Sequence, residues 1–214
     1  MIRKKSHYIQ DLILEGEHEH QDFKYQITDA RKIARSIAAF ANNSGGHLLI
    51  GVKDNGNIAG VRSEEEIYMI ETAAQMYCRP EQKVSFKVFN INGKSVVKAD
   101  IAEAQEKPVE APDDNGNWHV YYRVADENVL ASRLHERILS VEAGETPSAR
   151  TISYSEREQV LLDYLRSHGG ITLDDYMKLA HISEESATKI VVALHSMGVL
   201  SLQYHDGQCL IIAN

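Results

Sequence analysis

The chain lacks a surplus of positive charge: 23 lysines and arginines stand against 31 aspartates and glutamates, a net charge of −8. Neutralising phosphate is the main source of non-specific affinity for nucleic acid, so a protein that simply coats DNA is disfavoured, although a local basic patch is not excluded. Cysteine is scarce too. Cys78 and Cys209 lie far apart and in no metal-ligand spacing, which argues against a disulfide framework or a zinc site and for two reduced thiols in the cytoplasm. No apolar stretch follows Met1 to His7, so no secretory signal is expected, and no segment is long and apolar enough to span a bilayer. Neither GxxxxGKS/T nor GxGxxG occurs, so ATP hydrolysis is not expected. What remains is the composition of an ordinary globular protein, long enough for one large or two modest domains.

The stretch Ser36 to Val61, SIAAFANNSGGHLLIGVKDNGNIAGV, carries the most local information. Ala38 to Ala41 close an amphipathic helix that Asn42-Asn43-Ser44-Gly45-Gly46 ends. Leu48 to Val52 then read as a strand buried on both faces, and Asp54-Asn55-Gly56-Asn57 as a hairpin turn into a second strand, Ile58 to Val61. Upstream, Asp22 to Ile27 form a strand, and Thr28 or Asp29 caps the helix, with Ile33, Ile37 and Phe40 inward and Arg31, Lys32 and Arg35 on the opposite side. Ser63-Glu64-Glu65-Glu66 resembles a capping box for a helix running to about Cys78. Asn92-Gly93 joins Val84–Ile91 to Lys94–Ile101 as a hairpin, and a last strand runs from Trp118 to Val124. Leu134 to Val141 reads as a helix, and Glu142 to Ser148 as linker.

These motifs resemble the Schlafen AlbA-like domain. Asp22-Phe23-Lys24, Ala39 to Asn42 with Gly45-Gly46, Gly51-Val52-Lys53-Asp54-Asn55-Gly56 with Gly60, and Lys107-Pro108 with Tyr122-Arg123-Val124, Asn128 and Ala131-Ser132 match that family's ordered pattern over about residues 12 to 132. The resemblance implies an α+β fold, a mixed sheet with flanking helices. From Tyr154 onward three helices and a hairpin follow, an order similar to a small winged helix-turn-helix domain. The expected organisation is therefore residues 1–135 for the first domain, 136–153 for a connecting helix and linker, and 154–214 for the second.

In ribonuclease members of the Schlafen family three acids hold a divalent metal. The resemblance places Glu17, Asp22 and Asp54 in corresponding positions, where hard oxygen ligands suit Mg²⁺ or Mn²⁺. Asp22 departs from the usual Glu by one methylene, and Asp54 fits equally an Asx turn before Gly56. Glu17-His18-Glu19-His20 alternates metal-ligand types, so on an extended chain His18 and His20 share a face, though two imidazoles alone are more often surface residues. For nucleic acid the candidates are Lys24, Arg31, Lys32, Arg35 and Arg123, with Lys189 on the third helix of the second domain. Arg31 and Arg35 are one helical turn apart, while Arg123 could equally pair with a buried carboxylate. The third helix would enter the major groove, yet its outward positions include Glu184 and Glu185, and residues 154–214 hold four cations against eight acids.

The leading expectation is a non-enzymatic, cytoplasmic, nucleic-acid-binding transcriptional regulator, with DNA ahead of RNA and no cofactor required. The alternatives are a metal-dependent nuclease using Glu17, Asp22 and Asp54 with Mg²⁺ or Mn²⁺, and an oligomerisation or protein-interaction module acting through the winged helix.

Overall fold

A computed structural model describes residues 2–61, 64–142, 144, 155–205 and 207–214, with side chains from His7 onward. It divides into two compact units, one ending at Leu130 and the other beginning at Ala131.

The first unit is a mixed α+β structure. Its main sheet has the order β1-β2-β4-β3, built from Gln21–Lys24 (β1), Gly46–Ile50 (β2), Val84–Ile91 (β3) and Lys94–Ile101 (β4). β1 runs parallel to β2, with Phe23 opposite Leu49, and the helix Ala30–Asn42 (α2) makes the crossover that parallel neighbours require. β4 lies antiparallel to both β2 and β3. Alternation along β2 sends Leu48 and Ile50 to one face and Leu49 to the other, and all three are fully buried. On the first face they pack with Ile33, Ile37 and Phe40 of α2 and with Ile70 of a helix at Glu65–Met76 (α3). On the second, Leu49, Phe23 and Val96 meet Ile9 and Leu12 of the helix Ile2–Glu15 (α1).

Asp29 caps α2 by accepting the Arg31 N–H, as its position before the apolar repeat requires. The hairpin of β3 and β4 turns on Asn92 and Gly93, both with positive φ, the geometry an Asn-Gly pair favours. β1 is shorter than the expected strand, stopping at Lys24.

One difference from expectation lies after β2. Ile58 to Val61 do not form a strand: a single bridge joins Val52 to Ile58, and Gly51 O then accepts both the Ala59 and Gly60 N–H groups. Gly51 (φ +87°) permits this, because a Cβ there would stand 2.8 Å from the Gly60 carbonyl carbon. The expected capping box includes Ser63, which lies outside the described residues. Its other half, Glu66, is buried and accepts the Ile27 N–H at 3.2 Å.

Trp118–Val124 (β6) is not the last strand. It is central in a second sheet between Glu110–Pro112 (β5) and Glu127–Leu130 (β7), both antiparallel to it. α2 packs against β5 and β6 as well, which places it between the two sheets.

The second unit begins with the helix Arg133–Glu142 (α4). The helices Glu156–His168 (α5), Leu173–Ala180 (α6) and Glu184–Ser196 (α7) follow. A three-stranded sheet of order β8-β10-β9 closes it, from Gly170–Ile171 (β8), Leu200–His205 (β9) and Gln208–Ala213 (β10). Ser155, Thr172 and Ser183 cap α5, α6 and α7. Leu134 and Ile138 of α4 share one core with Leu161, Tyr176, Val191 and Ile211. The expected linker after Glu142 falls almost entirely outside the described residues.

Candidate nucleic-acid interface

The acidic segment folds inward upon an arginine. Arg123 on β6 is only 1% exposed, and its guanidinium lies 3.7 Å from Asp22 Oδ1. It donates to Asn128 Oδ1 at 3.0 Å and more weakly to the carbonyls of His18 and Gln21. Phe40 lies beneath it, 5.0 Å from guanidinium carbon to ring centroid. Lys24 Nζ stands 2.7 Å from Asp22 Oδ2. The charged neighbours of this buried carboxylate are therefore two cations and the nearby carboxyl of Glu17. Glu17 also accepts the Phe23 N–H at 2.9 Å. Burial, followed by the nearby Asp22 carboxyl, pushes the Glu17 carboxyl up to about 7.

Asp54 sits on the exposed turn beyond β2, where Gly56 N–H bonds to Lys53 O and Asn57 N–H to Asn55 Oδ1. Among the described residues no three His, Cys, Asp or Glu side chains stand together as a group that could hold a metal ion, so Glu17, Asp22 and Asp54 do not make one. Asp22 is engaged by cations instead, which is a poor setting for a hard divalent ligand. His18 and His20 differ from the extended-chain expectation. A bridge between His18 and Gln21 closes a turn, the His20 N–H donates to His18 Nδ1, and Glu19 accepts from Asn43.

The asparagines at the end of α2 tie the helix to the second sheet. Asn42 donates to the Val109 and Tyr121 carbonyls, each at 2.8 Å, and accepts the Val109 N–H at 2.7 Å. Asn43 makes a reciprocal pair with the Arg123 backbone, both bonds at 3.0 Å. A buried side-chain amide can make four such bonds; backbone groups supply three to Asn42 and two to Asn43, with Glu19 taking one more from Asn43. Gly45, at φ +79°, returns a bond to Phe40 O, and a Cβ there would come 2.8 Å from Ile101 O. Gly45 thus faces protein backbone, and its neighbour Gly46 faces the Phe40 ring.

The outer side of α2 is different. Arg31 and Lys32 are exposed in its first turn, and no carboxylate among the described residues lies within ion-pair distance of either. Arg35 is half-buried, donating through Nε to Pro112 O and pairing with the exposed Asp114 at 2.5 Å. Lys24 remains tied to Asp22. In the second unit Lys189 pairs with Glu185 one turn earlier on α7.

Sequence reading missed what flanks this face. Arg31 lies over the Tyr77 ring at 5.8 Å and Arg35 beside Tyr121 at 6.0 Å. Arg79 lies flat against Trp118, 3.6 Å from guanidinium carbon to ring centroid. Each pair joins residues more than 35 positions apart, so no local pattern signals them.

No curated protein sequence matches the chain significantly. A crystal structure of a protein from Corynebacterium diphtheriae is similar at 20% identity and a TM-score of 0.47, with 82% of this chain covered. This chain spans only 32% of that protein's length. The N-terminal domain of a RecG-related protein from Nitrosomonas europaea is similar at 15% identity and a TM-score of 0.41, covering 60% of this chain and 95% of that domain. The family model described as Schlafen, AlbA_2 matches residues 17–132, more than half of the sequence. It spans Glu17 and Asp22, the asparagine ties and Arg123, and the chain belongs to the Schlafen AlbA_2 family.

Proposed function

We propose that this protein is a non-enzymatic, nucleic-acid-binding regulator of transcription whose first unit contacts phosphates through the outer face of α2. The supporting observation is the contrast between the faces of that helix. One is fully buried between two sheets, while the other holds out Arg31 and Lys32 without carboxylate partners among the described residues. Both cations sit in the first turn, beside the Asp29 carboxylate that already caps the Arg31 N–H. Arg35 extends the set by one turn once Asp114 yields it. Arg123 acts from the interior by positioning the acidic segment, and Lys24 neutralises Asp22.

The helix order and the β9–β10 hairpin support a winged-helix reading of the second unit. Its α7 carries Glu184 and Glu185 in the first turn and a lysine already paired, which favours a protein contact or self-association over groove reading. A cytoplasmic setting fits two unpaired cysteines.

The test is binding to an oligonucleotide across a range of salt concentrations. Arg31→Glu with Lys32→Glu should weaken binding and flatten the log–log salt slope by roughly two, one for each lost phosphate contact. Unchanged affinity and slope would remove this face from the account.

The nuclease reading keeps one observation in its favour, the Glu17 and Asp22 carboxyls lying close enough to shift one another. Its check is incubation with RNA or DNA plus Mn²⁺ or EDTA. Cleavage that requires the metal and disappears in Asp54→Ala would displace the regulator reading.

A further inference from the structure

We infer that the nucleic acid held by this face is a single strand, with an unpaired base stacked on the Arg79 guanidinium that Trp118 holds flat. This rests on the phosphate-binding role of α2 proposed above. Arg79 is exposed, yet its side chain is not free to wander. Its backbone exchanges two hydrogen bonds with Glu110 at 2.8 and 3.0 Å, fixing its base to the start of β5. The half-buried indole of Trp118 then fixes its plane at 3.6 Å. A planar cation fixed this way can receive a base on its outer side and still direct N–H groups at phosphate.

The platform adjoins the basic helix face. Pro112 lies opposite Trp118 in the β5–β6 register, and its carbonyl accepts Arg35 Nε. Tyr77, two residues before Arg79, lies under Arg31. Cations and aromatic rings therefore alternate across one patch, the composition that single-strand binders use to track a backbone while stacking bases. A duplex needs only the cations, because its base faces are occupied by one another.

Two acids share the loop between β5 and β6. Asp113 is bound by the Asn115 and Asn117 N–H groups and lies 3.4 Å from His119. Asp114 is exposed and, among the described residues, held by Arg35 alone, so it can swing into solvent when a phosphate takes its place.

Trp118 is the chain's single tryptophan, so its emission reports this site alone. The experiment titrates the full chain with oligothymidylate, oligouridylate, an abasic strand of equal length and a duplex, following Trp118 fluorescence and binding together. The expected result is quenching by the single strands only, with the abasic strand about tenfold weaker or more, as the loss of one stacked base implies. Arg79→Lys keeps the charge and loses the plane. It should lower single-strand affinity about tenfold while leaving the salt slope unchanged, with circular dichroism confirming the fold. The two single strands differ in the 2′-hydroxyl and methyl, so quenching by either supports the inference. Equal binding of duplex, abasic and normal strands, with Trp118 emission unmoved and Arg79→Lys like the parent, would overturn it while leaving phosphate binding intact. Absence of salt-sensitive binding to every probe would instead sink the proposed function itself.

Discussion

The first unit and the last three helices, α5 to α7, handle their positive charge differently. In residues 156–214 three of the four cations pair within their own helix: Arg166 with Asp163, Lys178 with Asp175 and Lys189 with Glu185. The lysines hold Asp175 and Glu185 below the ordinary carboxylate range. Such i,i+3 and i,i+4 pairs support a helix slightly and leave little field for a polyanion. In the first unit Arg123 and Lys24 are spent on the buried Asp22, and Arg35, Lys87 and Lys107 have carboxylate partners nearer the surface, while Arg31 and Lys32 stay open. A net charge of −8 therefore hides a local arrangement in which position, rather than total charge, decides what a phosphate meets.

The largest effects should come from the buried half of this contrast. Arg123→Met would leave Asp22 in the interior with Lys24 as its one cationic partner among the described residues, a loss of roughly 3–5 kcal/mol typical of breaking a buried pair. Denaturant unfolding would show it, and a loss below about 1 kcal/mol would mean that the ion pair is not what organises the segment. Asn42→Ala strands the Val109 N–H and two carbonyls and should cost about 2–3 kcal/mol by the same measurement. Neither change should alter Lys189 or its helix.

Surface changes should cost binding and leave stability nearly untouched. Reversal at Arg31 and Lys32 should lower affinity by tenfold or more at low salt, whereas Lys189→Glu should leave it within about twofold. An equal loss from Lys189→Glu would erase the distinction between the units. Asp114→Asn releases Arg35 from its partner, and a gain of a few-fold in affinity is expected, measured by the same titration.

The smallest effect concerns His47 on β2, whose Nε2 meets Gln21 Oε1 at 2.8 Å. Burial, reinforced by the charge of Lys98, lowers its pKa from 6.5 to about 4. The folded state thus binds this proton less readily than the unfolded chain. His47's contribution to stability is present above about 6.5 and is lost as pH falls from there toward 4. Glu17, raised from 4.5 to about 7, acts oppositely, costing stability as pH rises through that window. Comparing the parent with His47→Asn isolates the histidine: the variant's stability should fall less on acidification. An NMR midpoint for His47 near 6.5 would contradict the assignment.

Much of the scaffold was legible because its signals are local. The Asp29 cap, the Ile33-Ile37-Phe40 repeat, the Asn92-Gly93 turn and the all-apolar Leu48–Ile50 strand each specify structure within a few residues. β5 and β7 were not, since strands of three and four residues exist only because β6 pairs with them. The Asn42 and Asn43 ties were hidden for the same reason, with partners 67 to 80 positions away. For the candidate site the sequence supplied the basic helix face but could not divide its cations. Whether an arginine is buried like Arg123, paired like Arg35 or open like Arg31 depends on strands that only the fold brings near.

The central claim is that nucleic acid meets the first unit and not the second. It is tested most directly by an amide chemical-shift titration of the full chain with oligothymidylate at low salt. Shifts confined to residues 29–36, 77–80 and 112–119 are predicted. Shifts gathered along α7 and the β9–β10 hairpin, with α2 unmoved, would contradict it.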